Sequence, residues 1–171
     1  PLHGGQISVG ELPRVLYRAA VSPISETASM GQRVEASGAA VEEIVGKEGY
    51  EVVFKIIIPD DGDTLTALLC ELSDEDKADL ILTTGGTGFS KRDNTPEATM
   101  RAVERETPGI SEAMRYYSLQ ITPRAMLSRG VSGIRKEALI VNLPGSPKAV
   151  RECLEYAIGA LTHGIDILKG N

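Results

Sequence analysis

Apolar and polar positions fall into two kinds of block along the chain, short apolar runs and longer stretches that carry a helical stripe. Val15 to Val21 predicts a first strand. Glu51 to Ile58, with Val52, Val53, Phe54 and three isoleucines, predicts the strongest one. Leu80 to Thr84 reads as a buried strand, and Val131 to Ile134 and Ala138 to Leu143 as two short strands whose separation favours a hairpin. Helical stripes appear as Val41, Ile44 and Val45, as Leu65, Leu68, Leu69 and Leu72, and as Val150, Leu154, Ala157 and Leu161. Further helices are expected over Pro96 to Arg105, over Ile110 to Leu119, and briefly through Met126 and Leu127. Asp63 is placed to cap the second helix, and Thr95 to cap the one that Pro96 begins. Strands alternating with helices predict one domain over 1–171, a three-layer α/β/α sandwich with a mainly parallel sheet and one antiparallel strand. Residues 1–13 carry no period and read as an irregular arm, and Ser22 to Ser37 as a polar loop too long to be mere connection.

Composition narrows the function classes. The chain has 171 residues, Lys+Arg 18 against Asp+Glu 24, and a net charge of −6. That balance disfavours nucleic-acid binding through a broad basic face, so an anionic ligand must be met by a local site. Cys70 and Cys153 lie in apolar helical patterns without metal-ligand spacing and read as free thiols, and the two histidines have no partner motif. No apolar run is long enough to span a membrane and no signal-peptide core is visible, which predicts a cytoplasmic protein.

Candidate chemistry centres on Thr84-Gly85-Gly86-Thr87-Gly88-Phe89-Ser90-Lys91-Arg92-Asp93, where a strand passes at once into three glycines within four residues. Such a turn lets the backbone approach a ligand and exposes amides that suit an anion. Ser90 before Lys91 breaks the P-loop pattern, and the position three residues beyond Gly88 is Lys91, so the dinucleotide fingerprint fails too. In an open parallel sheet, ligands bind where the strand-to-helix loops gather. Those loops are Ser22 to Ser37, Pro59 to Asp63, Thr84 to Asn94 and Leu143 to Pro147. They offer the carboxylates of Asp60 and Asp93, the amides of Gly85 to Gly88, and the hydroxyls of Ser25, Ser29, Ser37 and Ser146. Two carboxylates beside an anion cradle need a cation between them and a phosphate, for which Mg²⁺ is suited. The plainer alternatives are that Asp60 belongs to a turn and that Asp93 pairs with Arg92 or caps a helix.

Thr84-Gly85-Gly86-Thr87-Gly88, Arg92-Asp93, Thr95-Pro96-Glu97-Ala98-Thr99, Ile58-Pro59-Asp60, Leu127-Ser128-Arg129-Gly130 and Asn142 to Lys148 together resemble the molybdopterin adenylyltransferases. That group includes bacterial MogA and MoaB proteins and the homologous domain of gephyrin. The resemblance runs from about Ala19 to Leu161 and implies a homotrimer in molybdenum cofactor biosynthesis, with a molybdenum insertase as a possible partner. It implies AMP transfer from Mg-ATP to the terminal phosphate of molybdopterin, releasing pyrophosphate. Asp60 and Asp93 match the family's two functional aspartates and become the catalytic and Mg²⁺-binding pair. The implied substrate-binding residues are Ser25, Glu26, Ser37, Gly38, Gly85, Gly86, Thr87, Gly88, Ser90, Arg92, Pro144, Gly145 and Ser146. Ser25-Glu26-Thr27 and Glu35-Ala36-Ser37-Gly38-Ala39 depart from the family's Ser-Asp-Arg and Asp-x-Ser-Gly-Pro. Two further readings stay open: a MoaB-like pterin-binding or scaffold protein with little transferase activity, and an insertase-domain or competence-damage protein on the same fold.

Overall fold

The computed structural model describes residues 16–25 and 31–171. Strand β1 (Arg18–Ser25) lies between β2 (Glu51–Lys55) and β4 (Leu80–Thr84), and a two-residue strand β3 (Ile58–Pro59) pairs with the end of β1. Beyond β4 come β7 (Ala138–Leu143), β6 (Ser132–Arg135) and β5 (Arg105–Glu106), giving the order β2-β1-β4-β7-β6-β5. β1, β2, β3, β4 and β7 pair in parallel, and β6 alone opposes its neighbours β7 and β5. The expected three-layer architecture with one antiparallel strand is what forms.

The layering follows from which strands are apolar on both faces. β4 and β7 are buried at every position, and their alternate side chains feed two separate cores. Leu80, Leu82, Val141 and Leu143 pack under α1 (Gly31–Lys47), α4 (Pro108–Leu119) and α5 (Pro147–Lys169). Ile81 and Ile140 pack under α2 (Gly62–Asp74) and α3 (Thr95–Ala102). The stripes read from the sequence in α1 and α5 are buried as expected, and Leu68 of the α2 stripe is half-buried.

Several local expectations are corrected. The first strand continues through Ser22 and Pro23 to Ser25, and α1 already begins at Gly31, so the stretch from Ser22 to Ser37 is not one long loop. Val34, Ser37, Gly38 and Val41 recur at helical spacing and are buried, a stripe disguised by two small residues. The run Glu51 to Ile58 breaks in two. β2 is an edge strand with alternating exposure, and Ile56 and Ile57 are exposed. α3 ends at Ala102, because Arg105 and Glu106 pair with Ile134 and Gly133 as an edge strand instead of continuing the helix. Asp61, not Asp63, caps α2: its carboxylate accepts from the Asp63 amide and the Thr64 hydroxyl. Asp63 pairs with Arg101. Asn94 precedes α3 without a side-chain cap bond, and Thr95 is the helix's first residue. Cys70 and Cys153 are both free, the first half-buried and the second buried. The arm, Glu26 and Ser29 lie outside the described residues. Among the described residues no helix is long and apolar enough to cross a membrane.

Candidate functional site

All the strand-to-helix loops of the parallel strands open at one edge of the sheet, and the glycine loop occupies its centre because β4 is flanked by β1 and β7. Gly85 and Gly86 take φ of +87° and +70°, a region L side chains rarely adopt. A Cβ on Gly86 would stand 2.1 Å from the Thr95 Oγ1, and one on Gly88 would stand 2.8 Å from the Asp93 Oδ2. Gly85 is required by its backbone conformation, Gly86 by conformation and by packing on the first residue of α3, and Gly88 by the Asp93 carboxylate that closes the loop.

The Gly85 amide donates to the Leu143 carbonyl and so extends the β4–β7 ladder, which removes it from the expected set of ligand donors. The amides of Gly86, Thr87 and Gly88 have no acceptor among the described residues. Their carbonyls, by contrast, are held: Gly86 O accepts from the Thr95 amide, and Thr87 O from the Arg129 amide at 2.8 Å. The Arg129 guanidinium donates to Gly88 O at 2.7 Å and to Asp93 O at 2.8 Å, and pairs with Glu97. The loop is therefore anchored by its acceptors while its donors stay available, the polarity an anion site requires.

The two aspartates come together. Asp60 follows β3, and Asp93 closes the glycine loop by accepting from the Ser90 amide at 2.9 Å. Burial, and then the Asp93 carboxylate beside it, hold the Asp60 carboxyl above the usual carboxylate range, with Arg92 pulling the other way. Asp60 Oδ1 is buried with no hydrogen-bond partner. An orphaned, buried carboxylate oxygen next to a second carboxylate is a cost that a bound cation would remove. Among the described residues no group of three or more His, Cys, Asp or Glu could form a closed metal cage. The pair thus fits Mg²⁺, which is held by one or two carboxylates together with substrate phosphates.

A cleft of about 270 Å³ runs over the loop, lined by Gly85 to Gly88, Asp93, Ile24, Thr84, Gly145 and, from the first turn of α1, Arg33 and Val34. Behind Thr87 and Gly88 lies a second, open pocket of about 300 Å³, lined by Met114, Ser118, Leu127, Pro144 and Cys153 among others. The remaining expected residues divide. Gly145 and Pro144 line one space each, and Ser25 ends β1 beside Pro59. Ser90 and Arg92 are exposed on the loop. Ser37, Gly38 and Ser146 serve structure: Ser37 Oγ donates to Gly145 O at 2.7 Å, Gly38 packs on Pro23, and Ser146 caps α5 through the Ala149 amide. Arg33 has no signal in the sequence, and Arg129 stands there only within the Leu127 to Gly130 motif, with no role assigned to it. Arg33 lay in what looked like loop, and the bonds of Arg129 are made to backbone groups distant in sequence.

Fold and site together define an α/β domain that gathers a glycine loop with unengaged amides, among the described residues, and two aspartates at the carboxyl edge of its sheet. Residues 20–163 match the family described as "Probable molybdopterin binding domain". The molybdopterin adenylyltransferase of Helicobacter pylori is 41% identical over 150 residues, covering 86% of this chain and 85% of that protein. That of Escherichia coli K12 is 44% identical over 149 residues, covering 83% and 76%. The crystal structure of the molybdopterin biosynthesis enzyme MoaB from Thermus thermophilus superposes with a TM-score of 0.84 at 40% identity, covering 91% of this chain and 98% of that one. The chain belongs to this molybdopterin-binding domain family of molybdenum cofactor biosynthesis.

Proposed function

We propose that this chain transfers the adenylyl group of ATP to the terminal phosphate of molybdopterin. A phosphate oxygen of the pterin attacks the α-phosphorus, the new O–P bond forms as the bond to the β-phosphate oxygen breaks, and pyrophosphate leaves. The phosphate monoester is already ionised at neutral pH, so no side-chain base or covalent nucleophile is needed. What the reaction needs is alignment and charge stabilisation at the phosphorus. The observation that carries the reading is the unsatisfied Asp60 Oδ1 beside Asp93, at the edge of a loop whose Gly86, Thr87 and Gly88 amides have no acceptor among the described residues. Those amides donate to the phosphate oxygens, and Arg129 fixes the loop that carries them. Asp60 and Asp93 would hold Mg²⁺, which supplies neutralisation of the phosphate charge. The pocket behind the loop, largely apolar, suits a flat ring such as the pterin. The names of the relatives from Helicobacter pylori and Escherichia coli support the same activity.

Incubating the purified chain with molybdopterin and Mg-ATP should release pyrophosphate in step with adenylylated molybdopterin. Pterin binding without pyrophosphate release would instead fit a scaffold role. The working form proposed is a cytoplasmic homotrimer that hands its product to a molybdenum insertase. The exposed Val53, Ile56 and Ile57 at one sheet edge, and Tyr116 and Met126 elsewhere, are apolar surface that a second copy could cover. Light scattering should return three times the chain mass.

A further inference from the structure

Arg33 stands where a local reading gives it no reason to be. It lies in the first turn of α1, a helix with no acidic residue in that turn, so its charge opposes the positive end of the helix dipole. Its guanidinium has no carboxylate or carbonyl partner among the described residues, a property it shares with Arg92, Arg105 and Arg124, but of these four arginines it alone lines the cleft over the glycine loop. It lines the same cleft as Asp93 and the amides of Gly86 to Gly88, which have no acceptor among the described residues. A cation placed against the helix dipole, without a partner among the described residues in a chain of net charge −6, and lining the same cleft as the glycine-loop amides is placed for a ligand's negative charge.

We propose that Arg33 grips the β- and γ-phosphates of the bound nucleoside triphosphate, in the cleft it shares with the glycine loop. This rests on the adenylyltransferase reading and extends it by assigning the end of the nucleotide that leaves as pyrophosphate. The guanidinium binds the triphosphate before transfer and stabilises the charge that accumulates on the departing pyrophosphate. AMP, which lacks those phosphates, does not use it.

The experiment compares the full chain with Arg33→Gln and Arg33→Lys, measuring the dissociation constants of Mg-ATP and of AMP by calorimetry and the steady-state parameters for ATP. Arg33→Gln should weaken ATP binding about tenfold or more and raise the KM for ATP, while changing AMP affinity less than twofold. Arg33→Lys should recover most of the ATP affinity, a rescue that a packing role would not give. Melting temperature should hold or rise in Arg33→Gln, since a charge opposing the helix dipole is removed. ATP affinity within twofold of the parent in Arg33→Gln overturns the assignment, as does equal loss of ATP and AMP affinity. Failure of the parent chain to bind ATP at all removes the adenylyltransferase reading, and this assignment with it.

Discussion

Arg129 Nε donates to the carbonyl of Gly88 at 2.7 Å, and the same guanidinium reaches the carbonyl of Asp93 at 2.8 Å. One side chain thereby closes the loop from both ends. Because it binds carbonyls, the peptide planes are held with their amides left for a ligand.

Replacing Arg129 by Ala removes two charge-assisted bonds to carbonyls and the ion pair with Glu97, but leaves its own amide on Thr87 O. Such bonds contribute about 1.5 to 3 kcal/mol each when fully buried, and the half-buried position of Arg129 reduces that. Arg129→Ala is expected to lower stability by about 1 to 2 kcal/mol and turnover by at least tenfold. Urea unfolding and pyrophosphate release measure the two effects. Amide exchange over 85–93 should accelerate more than exchange in β7.

The Gly86–Thr95 contact predicts a coupled pair. Gly86→Ala adds a Cβ 2.1 Å from the Thr95 Oγ1 and keeps a φ of +70°. The backbone cost alone is about 1 kcal/mol and the clash adds to it. Thr95→Ala removes the colliding oxygen, which is buried without a partner. The double variant should therefore be more stable than the sum of the single ones by about 1 kcal/mol or more, measured as a double-mutant cycle in urea. Strict additivity would mean the loop moves aside freely.

How much of this was legible depends on the kind of signal. Leu80 to Thr84 and Ala138 to Leu143 announce themselves because central strands are apolar on both faces, and the glycine loop because φ > 0 has a residue signature. The start of α1 did not, since Ser37 and Gly38 bury small surfaces that hydropathy scores as loop. The end of α3 did not either, because pairing of Arg105 with Ile134 is a tertiary decision that overrides a local helical pattern. Asp60 and Asp93 could be nominated from their loops, but the orphaned oxygen of Asp60 is a fact of packing alone.

At the opposite edge of the sheet the chemistry is structural. Asp79 is 3% exposed; it accepts from the Arg18 amide at 2.7 Å and pairs with Arg18 and Lys169, tying β1 to the end of α5. Burial works to raise its pKa, and the bonds from Arg18 and Lys169 overcome that and lower it. A depressed carboxylate contributes stability above its unfolded pKa, and that stability is lost as the pH falls through the folded value. Asp79→Ala leaves the Arg18 amide unpaired and removes the buried partner of two cations, Arg18 keeping only exposed Asp76 and Lys169 only exposed Glu137, and is expected to cost about 2 to 4 kcal/mol at neutral pH. The deficit relative to the parent should shrink as the pH is taken below about 4. ATP affinity of the folded fraction should be unchanged, which separates this end of the sheet from the site.

Asp60 carries the opposite sign. Burial and the Asp93 carboxylate raise its pKa, so the fold favours the protonated acid and pays for the ionised one. The penalty is fully present above the folded pKa and disappears as the pH falls below the unfolded one. Asp60→Asn keeps the shape and removes the charge, so its melting temperature at neutral pH should equal or exceed the parent's. That advantage should fade toward pH of about 4. Mg²⁺ with ATP should raise the melting temperature of the parent and raise that of Asp60→Asn less. Turnover should fall about a hundredfold, on the order of 3 kcal/mol in the barrier, with pterin affinity nearly kept. A turn residue would behave in reverse, with lower melting temperature and near-normal pyrophosphate release. Measuring melting, pterin affinity and turnover on this one variant across pH therefore tests whether the unsatisfied carboxylate is kept for catalysis.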